Sequence, residues 1–366
     1  MRLGVHAALV RGELVPGDVT VEDGRVVDVG LPGGHRGLIA IPGLVDIQVN
    51  GYGGVDFLSA ATEDYRRAGE ALLSAGVTAY QPTFITSAQA TTVDALRALP
   101  SDGAGPRVLG AHLEGPFLSP ERPGMHPVEH LRAPDIALLE RLLEAGNVTE
   151  MTVAPELPGA DALIARLLQL GVVVSAGHTN ATAQEAIRGF ELGVTGLTHV
   201  FNAMRPLRSR DPGVIGVALT RPDVTVKMIV DGHHLARETM QLVWACAAGR
   251  VALTTDAMAG AGAGDGTFRL GEVEVEVLAG GAPTRQDGTL SGSVLTLIDA
   301  VRNLHALGVP LEQAVGAATE VPARFLGRND VGVLEPGGPA DIVVLDDRLE
   351  IQTVLCGGEH EVAARA

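Results

Sequence analysis

Lysine is almost absent from this sequence: Lys227 is the only one, and the other permanently cationic side chains are arginine. Cysteine is equally scarce, with Cys246 and Cys356 far apart along the chain. Two distant thiols do not make a disulfide framework, and they exclude a zinc site built mainly of cysteine. Free thiols fit a reducing compartment, and we expect the protein to be cytoplasmic.

Long hydrophobic runs and an excess of positive charge are missing too. Apolar stretches such as residues 172–176 are far shorter than the roughly 20 residues that cross a membrane. Arg11, Glu13 and Asp18 interrupt the region where a secretory segment is apolar. The formal net charge of −17 repels nucleic-acid backbones and anionic lipid headgroups. We therefore expect no nucleic-acid or membrane partner, whereas a small anionic substrate stays open if a local basic pocket exists.

The sequence does contain a regular alternation of helical segments with short runs that are apolar nearly throughout. Such runs are expected of strands that are covered on both faces. Several helical segments end in glycine followed by a β-branched residue, which is typical of a helix cap that opens a strand. Eight units in series predict an α/β protein with a (β/α)8 TIM-like barrel. The predicted strands span residues 43–50, 77–85, 108–114, 149–156, 172–178, 196–202, 225–231 and 251–256.

Both ends of the chain have a different pattern from its centre. Residues 17–29 predict two short strands around a tight turn, and residues 340–345 and 351–355 are strand-like as well. Neither end buries a face alone, so we predict that they pair into one small β-sandwich domain. The predicted limits are 1–40 and 335–366 for this discontinuous domain and 41–334 for the barrel.

Acidic and histidine side chains stand at five predicted strand ends, where barrel enzymes place their active sites. Glu114, His178 and His199 belong to strands three, five and six, a histidine pair at 233–234 follows strand seven, and Asp256 ends strand eight. Each residue taken alone is more often a hydrogen-bonded structural group. Together, one carboxylate and two imidazoles suit a divalent metal that keeps a water position open. We predict that Glu114, His178 and His199 hold a metal and that Asp256 accepts a proton from water.

Eight segments carry a resemblance to a known family. They are PGLVD at 42–46, HLEGP at 112–116, APE at 154–156, SAGHTNAT at 175–182, THVFNAM at 198–204, DGHH at 231–234, TDA at 255–257 and GTLSGS at 288–293. Through them the sequence resembles the N-acetylglucosamine-6-phosphate deacetylases of the amidohydrolase superfamily. The resemblance implies a metal-dependent hydrolase of amino-sugar metabolism that converts N-acetylglucosamine 6-phosphate to glucosamine 6-phosphate and acetate.

The resemblance also implies roles for residues outside the predicted metal cluster. His126 resembles a loop histidine that contacts the acetyl carbonyl, and it is expected to be catalytic together with Asp256, the general acid and base. Asn202 and Ala203 resemble substrate contacts next to the phosphate. Arg210 and His234 resemble the phosphate-binding pair, which in the family reaches across a dimer interface. The expected assembly is therefore a homodimer.

One departure from the superfamily pattern concerns the first strand. Many amidohydrolases carry His-x-His there, which holds a second metal, whereas residues 46–50 read DIQVN. The amides of Gln48 and Asn50 are poor ligands for a transition metal compared with imidazole. Lys227 lies on the seventh strand, where the bridging role of a carboxylated lysine is not expected. We predict one divalent ion, zinc, and at most a weak second site near Gln48 and Asn50.

Other functions stay open at this point. The same scaffold could deacetylate N-acetylgalactosamine 6-phosphate or a phosphate-free N-acyl compound. A third alternative is a catalytically inactive barrel that binds a sugar phosphate. The complete set of Glu114, His178, His199 and Asp256 favours an enzyme over this last alternative.

Overall fold

A computed structural model describes residues 1–100, 105–278, 281–285 and 288–363. The predicted domains also include residues 101–104, 279–280, 286–287 and 364–366, which lie outside the described residues. Within the described ranges, no helix is both long and apolar enough to cross a membrane.

Strands and helices alternate through the centre of the chain, and strands alone form its two ends. The described strands are β1 Val5–Val10, β2 Glu13–Pro16, β3 Asp18–Glu22, β4 Arg25–Leu31, β5 His35–Pro42, β6 Leu44–Val49, β7 Gly51–Tyr52, β8 Val55–Asp56, β9 Val77–Ile85, β10 Arg107–Val108, β11 Ala111–Glu114, β12 Val148–Val153, β13 Val173–Ala176, β14 Gly196–Leu197, β15 Thr225–Met228, β16 Val251–Leu253, β17 Gly266–Leu270, β18 Val273–Val277, β19 Ile342–Leu345, β20 Ile351–Cys356 and β21 Glu359–Ala363. The α-helices are α1 Asp64–Ser74, α2 Gln89–Arg97, α3 Ile136–Ala145, α4 Ala160–Gln169, α5 Ala183–Glu191, α6 Gly213–Thr220, α7 Arg237–Ala247, α8 Leu297–Ala306, α9 Leu311–Ala317 and α10 Glu320–Phe325, and a 3-10 helix spans Val128–His130.

The central strands form a parallel barrel in the order β6, β9, β11, β12, β13, β14, β15, β16. The ring closes where its first and last strands meet. There Val49 forms a parallel bridge with Ala257, and the Asn50 N–H donates to the Ala257 carbonyl at 2.7 Å. The predicted (β/α)8 barrel is therefore confirmed.

Helix ends follow the local sequence. Thr182 precedes α5 and caps it with a reciprocal pair of hydrogen bonds to Glu185, which satisfies backbone N–H groups that have no partner within the helix. The inner face of α5 buries Ala186 and Phe190 against the barrel, while its outer residues meet solvent. Such caps and one-sided burial allow short helices to be stable between the strands.

A second sheet joins the two ends of the chain. Its six strands lie in the order β2, β1, β5, β19, β20, β21, and the β3–β4 hairpin packs beside it around a separate apolar cluster that includes Val5, Val19 and Ile342. Gly76, at the end of α1, lies where the barrel approaches this sheet. A Cβ on Gly76 would stand 3.2 Å from Ile351, and its φ of +81° is one that side chains rarely adopt. The domain limits near residues 40 and 335 stay a prediction.

Six of the eight barrel strands end earlier than predicted, by one to five residues. Three of them lead to predicted site residues. The prediction extends them to residues 178, 202 and 256, whereas β13, β14 and β16 end at 176, 197 and 253. The backbone turns into the left-handed region at His178 (φ 46°), His199 (φ 23°) and Asp256 (φ 50°), so regular pairing stops before each of them. Strained backbone of this kind is found at functional sites.

The barrel interior contains a buried ion pair between Lys227 and Glu150. Both side chains are fully buried, and Nζ lies 2.5 Å from Oε1. The hydroxyl of Ser175 donates to the same Glu150 oxygen at 2.6 Å, and Nζ also stands 5.7 Å from the ring centre of Phe325. Each charge is thereby compensated in a place where water does not reach it.

A layer of hydroxyl groups around His112 separates this ion pair from the barrel mouth. His112 is bonded to Thr152 at 2.7 Å and to Thr83 at 3.1 Å, and Thr152 in turn to Thr198 at 2.7 Å. Burial and the nearby charge of Lys227 lower the pKa of His112 to about 4. His112 is thus a neutral group that links neighbouring strands below the mouth.

Replacing Lys227 with methionine leaves the Glu150 carboxylate buried without its counter-charge. We expect Lys227→Met to lower the free energy of unfolding by about 3–5 kcal/mol, and the double change Lys227→Met/Glu150→Leu to lose much less, because it removes both charges. Urea denaturation followed by circular dichroism measures both. Arg66→Met, in the exposed pair with Glu70, is the control and should change stability little. A double variant less stable than the single one would contradict the charge argument.

Candidate active site

Glu114, His178 and His199 meet at the mouth of the barrel. Each offers one ligand atom, and the three atoms lie within 4.8 Å of one another. Oε1 of Glu114 is 3.0 Å from Nε2 of His178 and 2.8 Å from Nε2 of His199. The two Nε2 atoms are 3.1 Å apart. All three side chains are buried, so this is a compact set of donors directed at one point.

The hydrogen bonds of His178 indicate what kind of ligand the cluster can bind. Its Nδ1 lies 3.1 Å from the carbonyl oxygen of Arg122, and because a carbonyl only accepts, Nδ1 carries the hydrogen. With its hydrogen on Nδ1, the neutral form of the ring has a lone pair on Nε2, the atom that faces the carboxylate oxygen of Glu114. A lone pair and a carboxylate oxygen that face each other are both satisfied by a cation, so the donor set fits a divalent metal ion.

The charge of the Glu114 carboxylate supports the same conclusion. Burial alone would favour the neutral form of each group, but the hydrogen bonds and attraction between Glu114 and the two imidazoles outweigh it. They hold the pKa of the Glu114 carboxyl well below its usual range and raise the pKa of His199. Glu114 is therefore an ionised ligand.

Asp256 stands beside the cluster and is held by two amides. Asn50 Nδ2 donates to its Oδ1 at 2.8 Å, and Gln48 Nε2 donates to the same oxygen at 3.1 Å. Burial, followed by repulsion from Glu114, raises the pKa of Asp256, which makes it a stronger proton acceptor. The amide nitrogens of Gln48 and Asn50 face Asp256, and an amide N–H does not ligate a metal.

His126 reaches the cluster from the loop between β11 and α3. Its ring centre is 4.3 Å from that of His178. Burial, together with the neighbouring His178, holds the pKa of His126 well below its usual range. The backbone N–H of Thr86 donates to Nδ1 of His126 at 3.2 Å, so the hydrogen of the neutral ring is on Nε2. His126 can therefore donate a hydrogen bond to a ligand.

One cavity of about 240 Å³ brings nearly all the predicted site residues together. Its volume is close to the lower end of the range for small-molecule sites, about 300–1,000 Å³, which suits a single sugar. The predicted residues that line it are Glu114, His126, His178, His199, Asn202, Ala203, His234 and Asp256.

Two predicted phosphate contacts lie in different places. His234 lines the cavity of its own chain. Asp231 holds its ring, with Oδ2 2.7 Å from Nδ1. Arg210 lies outside the cavity lining, on an exposed loop that Arg205 and Asp211 anchor through a two-pronged ion pair.

Three groups that hold the histidines are not among the predicted site residues. Thr86 and Arg122 act through main-chain atoms, which a side-chain pattern does not report. Asp231 is different, because its position three residues before His234 in DGHH is a signal that could have indicated it. Leu270 comes from the β17–β18 hairpin and lines the cavity, a contact that only the tertiary fold reveals.

Comparison with known proteins agrees with this geometry. The model of the amidohydrolase family matches residues 39–360. The chain belongs to the amidohydrolase family. Among its curated relatives are the N-acetylglucosamine-6-phosphate deacetylase of Bos taurus, 38% identical over 96% of this chain and 90% of the relative, and the N-acetylgalactosamine-6-phosphate deacetylase of Escherichia coli, 36% identical over 97% and 92%.

Solved structures resemble this amidohydrolase over its whole length. A mutant N-acetyl-D-glucosamine-6-phosphate deacetylase from Mycobacterium smegmatis, in complex with N-acetyl-D-glucosamine-6-phosphate, superposes with a TM-score of 0.93 at 35% identity and covers 99% of both chains. The N-acetylglucosamine-6-phosphate deacetylase of Thermotoga maritima gives a TM-score of 0.89 at 32% identity and covers both chains completely.

Metal binding should depend on the three clustered side chains. After chelation and titration with Zn²⁺, we expect Glu114→Gln, His178→Ala and His199→Ala each to weaken binding by more than about tenfold, or 1.4 kcal/mol, because each removes one ligand. Isothermal titration calorimetry measures the affinity. His233→Ala, an exposed histidine at the same rim, is the matched control. Unchanged affinity in Glu114→Gln would exclude the cluster as the binding site.

Proposed function

We propose that this amidohydrolase removes the acetyl group of N-acetylglucosamine 6-phosphate and releases glucosamine 6-phosphate and acetate. One observation carries the proposal: a metal-ligand set, a basic carboxylate and a neutral histidine donor line the same sugar-sized cavity. The relatives named for this reaction cover nearly the whole chain, which supports the choice of substrate. The role in amino-sugar breakdown or recycling and the cytoplasmic location are parts of the same proposal.

We further propose that Glu114, His178 and His199 hold a single zinc ion. A bound zinc ion supplies Lewis-acid activation of water and of the acetyl carbonyl. Two imidazoles with one carboxylate are a donor set that zinc accepts while a position stays open. A second ion near Gln48 and Asn50 is disfavoured, because amide side chains are poor ligands for zinc compared with imidazole.

The residues around the cluster carry the proton and stabilise charge. Asp256 accepts a proton from water as the oxygen of that water forms a bond to the acetyl carbon. The Nε2–H of His126 donates to the carbonyl oxygen, where negative charge develops. Asp256 then returns the proton to the nitrogen as the C–N bond breaks, which gives the amine and acetic acid. The acid passes its remaining proton to the amine, so acetate and an ammonium group are the products.

The phosphate is proposed to lie at the other end of the cavity. Asn202, Ala203 and His234 line the cavity, and Asp231 holds the His234 ring. Arg210 lies outside the cavity of its own chain, so we propose that it reaches the cavity of a second copy in a homodimer. A guanidinium that arrives in this way allows an acidic protein to bind a phosphate locally.

The main alternative substrate is the other sugar epimer, N-acetylgalactosamine 6-phosphate. The Escherichia coli relative named as an N-acetylgalactosamine-6-phosphate deacetylase is nearly as similar as those named for the glucosamine substrate. Assays on both phosphosugars, and on the sugar without phosphate, separate these activities. A protein that binds a sugar phosphate but turns over none of the three would instead be a catalytically inactive sugar-phosphate-binding barrel.

Asp256→Asn should keep the fold, because asparagine can still accept the hydrogen bonds of Gln48 and Asn50. We expect kcat to fall at least about a hundredfold, since the general acid and base is lost, with bound metal and substrate affinity close to those of the wild type. Steady-state kinetics and metal analysis test this. Turnover at the wild-type rate would remove Asp256 from the mechanism.

Arg210→Ala should act on substrate binding. We expect KM for N-acetylglucosamine 6-phosphate to rise about tenfold or more, the usual size of a hydrogen bond between charged groups, with a much smaller change for the sugar without phosphate. Arg208→Ala, two residues away on the same exposed loop, is the control. An equal loss on both sugars would contradict a role in phosphate binding.

A further inference from the structure

Two amide side chains converge on a single oxygen of Asp256. Asn50 Nδ2 lies 2.8 Å and Gln48 Nε2 lies 3.1 Å from Oδ1. Gln48, Asn50 and Asp256 are 0%, 2% and 9% exposed, so water does not compete for these bonds. An ionised carboxylate only accepts hydrogen bonds, so both amides must direct their nitrogens at it.

Strand β6, which carries Gln48, also fixes the backbone of Asp256. Its N–H donates to the carbonyl of Gln48 at 2.9 Å, and this bond belongs to the seam that closes the barrel between β6 and β16. Asp256 has a φ of 50°, a conformation that persists only where the surroundings enforce it. Main chain and carboxylate are thus both held from one side by residues 48–50.

The two oxygens of the carboxylate are therefore not equivalent. Oδ1 accepts two hydrogen bonds, whereas Oδ2 accepts none from the described residues. The Gln48 amide also lies 3.4 Å from Oε2 of Glu114, so it spans the gap between Asp256 and the metal-ligand cluster. A carboxylate held in this way keeps one oxygen fixed and leaves the lone pairs of the other for a proton.

We propose that Gln48 and Asn50 are positioning residues for proton transfer, which aim Oδ2 of Asp256 at the attacking water by holding Oδ1. This inference rests on the proposed hydrolysis. The proton of the water moves to Oδ2 as the oxygen bonds to the acetyl carbon, and it moves from Oδ2 to the nitrogen as the C–N bond breaks. The amides donate to Oδ1 throughout and exchange no proton themselves.

The test uses the full-length metal-loaded protein and shape-conserving substitutions. Gln48→Met and Asn50→Leu remove the amide donors with little change in volume. Outer groups that orient a reacting residue typically contribute 10- to 100-fold to activity. We expect kcat to fall about tenfold in each single variant and about a hundredfold in the double variant, with KM within about twofold and the metal content per chain unchanged.

A double-mutant cycle separates positioning from a general structural role. In the Asp256→Asn background, where no carboxylate remains to be aimed, adding Asn50→Leu should lower the residual rate by less than about twofold. Asn303→Leu is the matched control, because its amide donates to the Val230 carbonyl outside the cavity, and kcat should stay close to that of the wild type.

Several results would overturn the proposal. Loss of bound metal in Gln48→Met or Asn50→Leu would assign the amides to metal binding, and an equal loss of rate in the Asp256→Asn background would assign them to folding. A crystal structure of the double variant gives a readout independent of turnover, in which we expect the Asp256 carboxylate to rotate away. An inactive wild-type protein would refute the proposed function, whereas an unmoved carboxylate would refute the positioning role alone.

Discussion

The carboxylate of Glu114 lies in the barrel mouth with almost no access to water, and the imidazoles of His178 and His199 face it at 3.0 and 2.8 Å. This arrangement explains much of the surrounding structure. Regular strand structure ends just before His178 and His199, and both residues face Glu114 from left-handed backbone conformations. Neighbouring barrel strands tolerate such breaks because the layers beneath them, around His112 and the Lys227–Glu150 pair, keep the barrel closed.

Four side chains at the site share one design, in which a partner fixes one polar atom of the side chain and leaves the other free. The Arg122 carbonyl fixes Nδ1 of His178, the Thr86 N–H fixes Nδ1 of His126, and Asp231 fixes Nδ1 of His234. The amides of residues 48 and 50 do the same for one oxygen of the aspartate that ends the barrel. Preorganisation of this kind lowers the cost of reaching a reactive geometry.

Much of this arrangement could be predicted from the sequence, because it follows from periodicity and from the rule that barrel sites lie at the carboxyl ends of strands. Glu114, His178 and His199 stand at three such ends, and the cluster they form is compact. The strand limits at 178 and 202 could not be predicted, since backbone torsion leaves no mark on residue type. The placement of Arg210 outside the cavity also escapes a linear pattern, because it depends on tertiary contacts of its loop.

The single lysine determines how the protein reacts with reagents that label amines. The ε-amine of Lys227 lies inside a closed ring of strands, and every other permanently charged cationic side chain is a guanidinium. Reagents that acylate lysine side chains therefore find no target on the folded surface. Acylation of Lys227 requires the barrel to open, so the rate of its labelling reports how often the native protein unfolds.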